Sequence, residues 1–410
     1  MSRGAKALSP EQAAAAAERG STWQIVGYVY FTFVVYLAIG LPLATLPAYV
    51  HFRMGYGAAM AGFVISVQYI ATFLSRPWAG HISDHQGAKV SVIWGMAACS
   101  GSGLILLLAA LAHAVPWLSF ALLIASRLAL GVGESLGSTG ATLWGISSAG
   151  QEHTAKVISY NGICTYGATA LGAPLGVVLT NRWGLAALGW LTLGICVVSL
   201  LMAIAKHAVP VVAGEKLSFR SVLGRVAPHG MALALGGVGY SVLATFITLF
   251  YGSRHWNGAA LCLTAFGVAF IVARLLFIQA INHYGGFPVA IVCLAVESAG
   301  VFVLWRAHSP WTALVAAAIT GFGFALVFPA IGVEAVRRVP EQNRGTALGV
   351  YTGFSDVSFF LVGPSAGAVI GEFGYASAFL FALICVVVAL GIVIALHPAR
   401  GSANVAGARA

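Results

Sequence analysis

Arg76-Pro77-Trp78-Ala79-Gly80-His81-Ile82-Ser83-Asp84-His85-Gln86-Gly87 is the stretch that decides the fold, because its frame returns 198 residues later as Arg274, Asn282, His283 and Gly285. A second pair of landmarks, Gly131-Val132-Gly133 with Gly172-Ala173-Pro174, recurs at a spacing of 190 as Gly321-Phe322-Gly323 with Val362-Gly363-Pro364. The chain holds its own half twice. Two nearly apolar halves of this kind predict a transporter built from repeats around a central path.

Composition sets the solvent. Hydrophobic residues make up 60% of the 410 and charged residues 8%, against about 45–50% and about 25% in soluble domains. So few charges cannot cover a soluble surface. Apolar runs long enough to cross a hydrocarbon core of about 30 Å are read at 23–47, 58–80, 90–112, 116–147, 157–180, 185–206, 229–252, 258–281, 287–307, 311–335, 344–370 and 374–397. The expected fold is an all-α polytopic membrane protein with twelve transmembrane helices in two pseudosymmetric six-helix halves. The expected division is a tail over 1–22, a half over 23–206, a linker over 207–228, a half over 229–397 and a tail over 398–410. The first 22 residues lack an apolar core of the kind a cleaved signal needs, so the first run is expected to direct insertion itself.

The formal net charge of +10 raises the question of a nucleic-acid partner. Position answers it. Sixteen of the 21 Lys and Arg fall on the side of the N-terminus when alternate loops are followed, and an excess of positive charge marks the cytoplasmic face. Both termini are therefore expected in the cytoplasm, and no loop is long enough to make a basic nucleic-acid domain. Six cysteines lie in apolar runs without a Cys-x-x-Cys pair, and the histidines fall in loops or near span ends. Neither disulfide, metal site nor catalytic cluster is expected. No G-x-x-x-x-G-K-[ST] occurs, so ATP is not the expected energy source, and Gly131-Val132-Gly133 lies inside an apolar helix rather than after a strand. No cofactor is expected.

Ionisable side chains inside spans cost several kcal/mol when they face lipid, so those present are expected to face the bundle interior. Arg127 and Glu134 lie seven residues apart in the fourth span, on one helical face about 10 Å apart. Asp356 lies about midway along the eleventh span, where it is a candidate to take and release a proton, or a neutral acid bonded to Ser355 or Ser358. Glu297 is a weaker candidate, and Glu334 is expected to pair with Arg337 or Arg338 at an interface. Gly80, Asp84, Gly87 and Lys89 fill the short turn after the second span, where a carboxylate could latch one conformation or merely cap a helix. Gly167, Gly172, Pro174 and Gly176 in the fifth span permit close helix packing and a bend. Tyr36, Gln68, Tyr166 and Tyr240 are candidate cavity contacts for a substrate.

Taken together, these motifs resemble the major facilitator superfamily over residues 23–397: Gly80 to Lys89 its signature between the second and third helices, Arg127 to Glu134 its fourth-helix motif, and Gly167 to Gly176 a fifth-helix motif associated with antiporters. Gly40-Leu41-Pro42, Tyr160-Asn161-Gly162 and Arg344-Gly345-Thr346-Ala347-Leu348-Gly349 are further similar to its bacterial YfcJ/YhhS-type branch. The resemblance implies alternating access by a monomer in the bacterial inner membrane, with export of a small molecule against protons. It also implies that Asp84 steadies the outward-facing state and that Arg127 tunes a proton-carrying acid. Many drug–proton antiporters place an acid in the first helix, but residues 23–47 contain none, which leaves that work to Glu134 or Asp356. Uptake of a sugar or organic anion by symport, with Arg127 on the anion, is the alternative. A membrane-embedded enzyme or sensor is a more distant one, since no nucleophile or metal cluster and no output domain is seen.

The symmetry of the halves is broken where charge matters. Asp84 aligns with Asn282, Arg127 with Ala317, Glu134 with Phe324 and Asp356 with Tyr166.

Overall fold

The computed structural model describes the backbone of residues 10–150, 154–209, 219–277, 279–339 and 344–397, with side chains except those of 10–21, 84, 154–155, 219–220, 344–346 and 348. Twelve helical spans long and apolar enough to cross a membrane occur among the described residues. They are α1 (Thr22–Arg53), α2 (Ala58–Ser83), α3 (Ala88–Ala114), α4 (Pro116–Ala149), α5 (Lys156–Trp183), α6 (Ala186–Ala205), α7 (Ser221–Ser253), α8 (Ala259–Leu276), α9 (Gly286–Trp305), α10 (Pro310–Arg337), α11 (Gly349–Phe373) and α12 (Ser377–Leu396). All twelve expected spans are present, with ends that shift by a few residues. The largest difference is at α7, where helix begins at Phe219 and so takes up the last part of the expected linker.

Breaks in the helices have local causes. The α1 helix stops at Leu43 just after Pro42, since proline donates no backbone bond and crowds the preceding turn, and Thr45 N then bonds back to the Pro42 carbonyl at 3.1 Å. In α7 the helix pauses at Gly237 between Phe219–Gly236 and Val238–Ser253. In α10 it pauses between Phe324 and Val327.

The repeat seen in the sequence is also a repeat of conformation. Gly87 has φ 98° and ψ 152° between α2 and α3, and Gly285 has φ 85° and ψ 165° at the equivalent turn before α9. Both lie where a Cβ is strained, so glycine is required twice. The halves meet along two pairs of helices, α2 with α11 and α5 with α8, which a twofold exchange of halves interconverts.

At the end of the bundle that carries His51 and Tyr375, the halves come into close contact. Gly62 of α2 lies against Gly363 of α11, and Gly252 of α7 against the Phe52 ring. Small residues let the backbones approach this closely. His51 Nδ1 lies 2.7 Å from the Tyr56 carbonyl oxygen and its Nε2 lies 2.7 Å from the Tyr375 hydroxyl. A carbonyl only accepts, so Nδ1 donates and, in the neutral ring, Nε2 accepts from Tyr375. The outward surface is apolar: Leu171, Val292, Ile384 and Leu361 are among many exposed side chains, and exposed Trp117, Trp183 and Trp311 sit near helix ends, the placement favoured at a membrane interface.

Candidate functional site

The site is built from four helices. Glu134 on α4 is buried, and its carboxylate accepts three hydrogen bonds: from the Tyr36 hydroxyl of α1 at 3.1 Å, from Gln68 Nε2 of α2 at 2.7 Å and from Thr72 Oγ1 at 3.0 Å. Close approach of α4 to its neighbours makes this possible. A Cβ on Gly131 would lie 3.0 Å from the Ala71 methyl, and one on Gly133 would lie 3.0 Å from the Cys99 backbone nitrogen. The glycines of the fourth-helix motif thus press Glu134 against α2 while α3 closes behind it.

Tyr36 and Gln68 belong to this acid as partners. Tyr36 is half-buried and Gln68 fully buried.

Asp356 on α11 makes no bond to Ser355 or Ser358; Ser358 donates to the Ala234 carbonyl at 2.7 Å. Its partner is Arg76 of α2, whose Nε and Nη2 both reach the carboxylate, the latter at 2.9 Å. The pair crosses from one half to the other, with the aspartate side chain 6% exposed and the arginine side chain 25% exposed. Removal of the arginine would leave a buried carboxylate without its counter-charge, a larger cost than the loss of an exposed pair. The sequence names Arg76 only as part of the repeated frame and gives no sign of this pairing beyond a guanidinium retained at both repeats, as Arg76 and Arg274.

Arg127 is 1% exposed, and none of its three guanidinium nitrogens has a hydrogen-bond partner among the described residues. It does not touch Glu134, as two helical turns of separation foretold. Glu297 is likewise fully buried with both carboxyl oxygens unpartnered. Glu334 pairs with Arg337 at 3.1 Å and accepts from the Gly286 backbone N–H at 3.0 Å, which caps the start of α9.

Tyr166 and Tyr240 stand together at the interface between halves. Their ring centroids are 5.3 Å apart, and Phe270, Phe266 and Phe324 crowd around Tyr166 at 4.0, 6.1 and 5.9 Å. This aromatic cluster joins α5 to α7, α8 and α10.

The loop motif divides. Gly87 makes the turn, while Gly80 faces open space and packs against nothing. Lys89 Nζ donates to the carbonyls of Ile204 and Lys206 at 2.8 and 2.6 Å, so it caps the end of α6 inside its own half and crosses no interface. The side chain of Asp84 lies outside the described residues. In the fifth-helix motif, Gly172 and Gly176 lie against the backbone of Gly40 and Leu41 of α1, with Pro174 between them, and Gly167 touches Ile271 of α8. Among the described residues no group of three or more His, Cys, Asp or Glu could hold a metal ion, and the six cysteines are free thiols.

Comparison with known proteins agrees with this architecture. The family model described as Major Facilitator Superfamily matches residues 28–277 and 230–410. An uncharacterized MFS-type transporter of Pseudomonas aeruginosa (strain UCBPP-PA14) is 53% identical over 381 residues, covering 93% of this chain and 95% of that relative. One of Burkholderia mallei (strain SAVP1) is 51% identical over 390 residues, covering 95% and 96%. Among solved structures, a D-xylose-proton symporter aligns with TM-score 0.75 at 15% identity over 91% of this chain and 96% of that one. The nucleoside transporter NupG aligns with TM-score 0.72 at 16% identity over 92% and 100%. At these identities the solved structures share the fold alone.

Proposed function

This chain belongs to the Major Facilitator Superfamily, and from that premise we propose that it is a proton-coupled secondary transporter that exports a small amphiphilic molecule. It works as a monomer in the bacterial inner membrane, with both termini in the cytoplasm. Alternating access moves the two halves about the aromatic cluster and the Arg76–Asp356 pair. The observation that carries the coupling is Glu134, a buried carboxylate held by Tyr36, Gln68 and Thr72. Tyr36 links it to the interior path, and no other acid lies on α4. When Glu134 is protonated, Gln68 and Thr72 lose an anionic acceptor, and the helices α1, α2 and α4 that they tie together relax. Proton binding is in this way converted into helix movement.

Export rests on the antiporter-like approach of Gly172 and Gly176 to α1, and it fits substrate and proton using the same path at different times. Purified protein in liposomes tests it. An inside-acidic gradient should drive accumulation of an exported amphiphile into the lumen, and a gradient of the opposite sign should not. Accumulation together with protons, in the same direction, overturns the export reading.

One observation favours the second reading, uptake of an anion by symport. Arg127 is a buried cation with no partner among the described residues, and a conformation that opened its guanidinium would let it contact a substrate anion. The same pair of gradients decides between the two.

A further inference from the structure

Arg274 of α8 occupies the place in the second half that Arg76 occupies in the first. Both point across the interface between halves. Arg76 finds the Asp356 carboxylate on α11. Arg274 faces α5, the helix equivalent to α11, and there the residue aligned with Asp356 is Tyr166. The second half therefore has the cation without the acid.

The surroundings of Arg274 are built to receive it. It is 6% exposed, and Gly162 of α5 makes the room, since a Cβ there would fall 2.9 Å from the guanidinium carbon. Its guanidinium lies 5.4 Å from the centre of the Phe270 ring, and Phe270 in turn packs on Tyr166. Among the described residues it has no hydrogen bond and takes part in neither of the ion pairs, Arg76–Asp356 and Arg337–Glu334. Unlike Arg127, it does not have nitrogens sealed from all accessible space.

The magnitudes show what is missing. Contact with an aromatic face is a weak attraction, while a buried guanidinium without a counter-ion loses hydration worth far more. The ring does not offset that cost. An anion would, with two parallel N–H···O bonds of the kind that Arg76 makes.

We propose that Arg274 is a substrate-binding residue, and that the transported molecule carries a carboxylate which takes the position that Asp356 takes in the other half. The Tyr166, Tyr240, Phe266 and Phe270 rings beside it receive the apolar body. The substrate class is thus a small organic monocarboxylate with an aromatic or aliphatic tail. The inference rests on the transporter reading and is independent of the direction of transport.

Three matched probes test it: 3-phenylpropionate, its uncharged amide, and 3-phenylpropylamine. Binding to the purified full-length protein is followed by thermal shift and titration calorimetry. The carboxylate should bind and raise the melting temperature, and the amide and amine should not. Arg274→Gln should weaken carboxylate binding by about 10- to 100-fold, as expected for the loss of one charge-assisted bidentate contact, and Arg274→Lys should retain part of it. The ligand-free melting temperature of Arg274→Gln should equal or exceed that of the wild type, because an unpaired buried charge is removed; a merely structural arginine would give a fall. Tyr166→Asp, which supplies the missing acid from within the chain, should abolish carboxylate binding.

Equal binding of amide and carboxylate, no binding of the carboxylate by the wild type, or unchanged affinity in Arg274→Gln overturns the proposal. Proton-driven flux is measured separately in wild-type vesicles. Carboxylate binding without such flux sinks the coupling reading and leaves this one standing, and flux without carboxylate binding does the reverse.

Discussion

Arg76 and Asp356, 280 residues apart, form a two-pronged ion pair that joins α2 of the first half to α11 of the second. Because it crosses the interface between the halves, its strength bears on folding and, in the proposed alternating access, on exchange between states. Asp356→Asn alone should lower the stability of the purified protein by about 1–3 kcal/mol, since the half-buried Arg76 loses its charged partner and water replaces it only in part. The double variant Arg76→Gln with Asp356→Asn should recover most of that loss. Chemical denaturation of both variants checks this, and additive effects would show that the pair is not energetically coupled.

Glu134→Gln preserves the shape of the side chain but can neither bind nor release a proton. Proton-gradient-driven transport into liposomes should fall to the level of protein-free vesicles, while exchange of labelled for unlabelled substrate persists. Gradient-driven transport at the wild-type rate would remove Glu134 as the coupling group.

Gly62→Ala should disturb the closed end of the bundle. The new methyl would lie 2.8 Å from the Gly363 carbonyl carbon and 2.7 Å from the Phe246 ring. Overpacking costs about 1–3 kcal/mol, enough to move the conformational balance by about 5- to 150-fold. Faster hydrogen exchange in residues 50–62 and 363–375 is the expected readout.

Tyr375→Phe deletes the hydrogen bond to His51 Nε2 and nothing else. Its effect on the same exchange measurement should be smaller, in line with about 0.5–1.5 kcal/mol for one hydrogen bond. An effect as large as that of Gly62→Ala would mean that the hydrogen bond, not glycine packing, holds this end.

Lys89→Ala separates two roles for the loop lysine. Its bonds to the Ile204 and Lys206 carbonyls stay inside the first half, so the variant should lose roughly 1 kcal/mol of stability and leave the exchange pattern of the closed end unchanged. Altered exchange there would assign Lys89 a gating role.

Much of the fold was legible because its signals are local. Membrane spans depend on the length and apolarity of single segments, and the turn glycines Gly87 and Gly285 follow from backbone sterics at one position. The partners of the ionisable groups were less legible. Glu134 could be singled out by its depth, but its donors Tyr36, Gln68 and Thr72 come from two other helices, and no spacing in the chain announces them. Tyr36 and Gln68 read as cavity contacts because polar residues in spans suggest a wet path. Packing puts the Gln68 amide on the Glu134 carboxylate.

The amino-acid sequence by itself determined the solvent, the number of spans, the internal repeat and the positions where charge breaks that repeat, since each rests on composition or on residues near one another in the chain. Tertiary structure alone decided which charges meet. Asp356 pairs with Arg76 because α2 and α11 face each other, and Arg274 is left against Gly162 and Phe270 because α8 faces α5, where the aligned residue is a tyrosine. A charge-assisted hydrogen bond needs its donor and acceptor about 3 Å apart, so the side chain that lies opposite decides whether a buried guanidinium is a strut between the halves or is left without a partner.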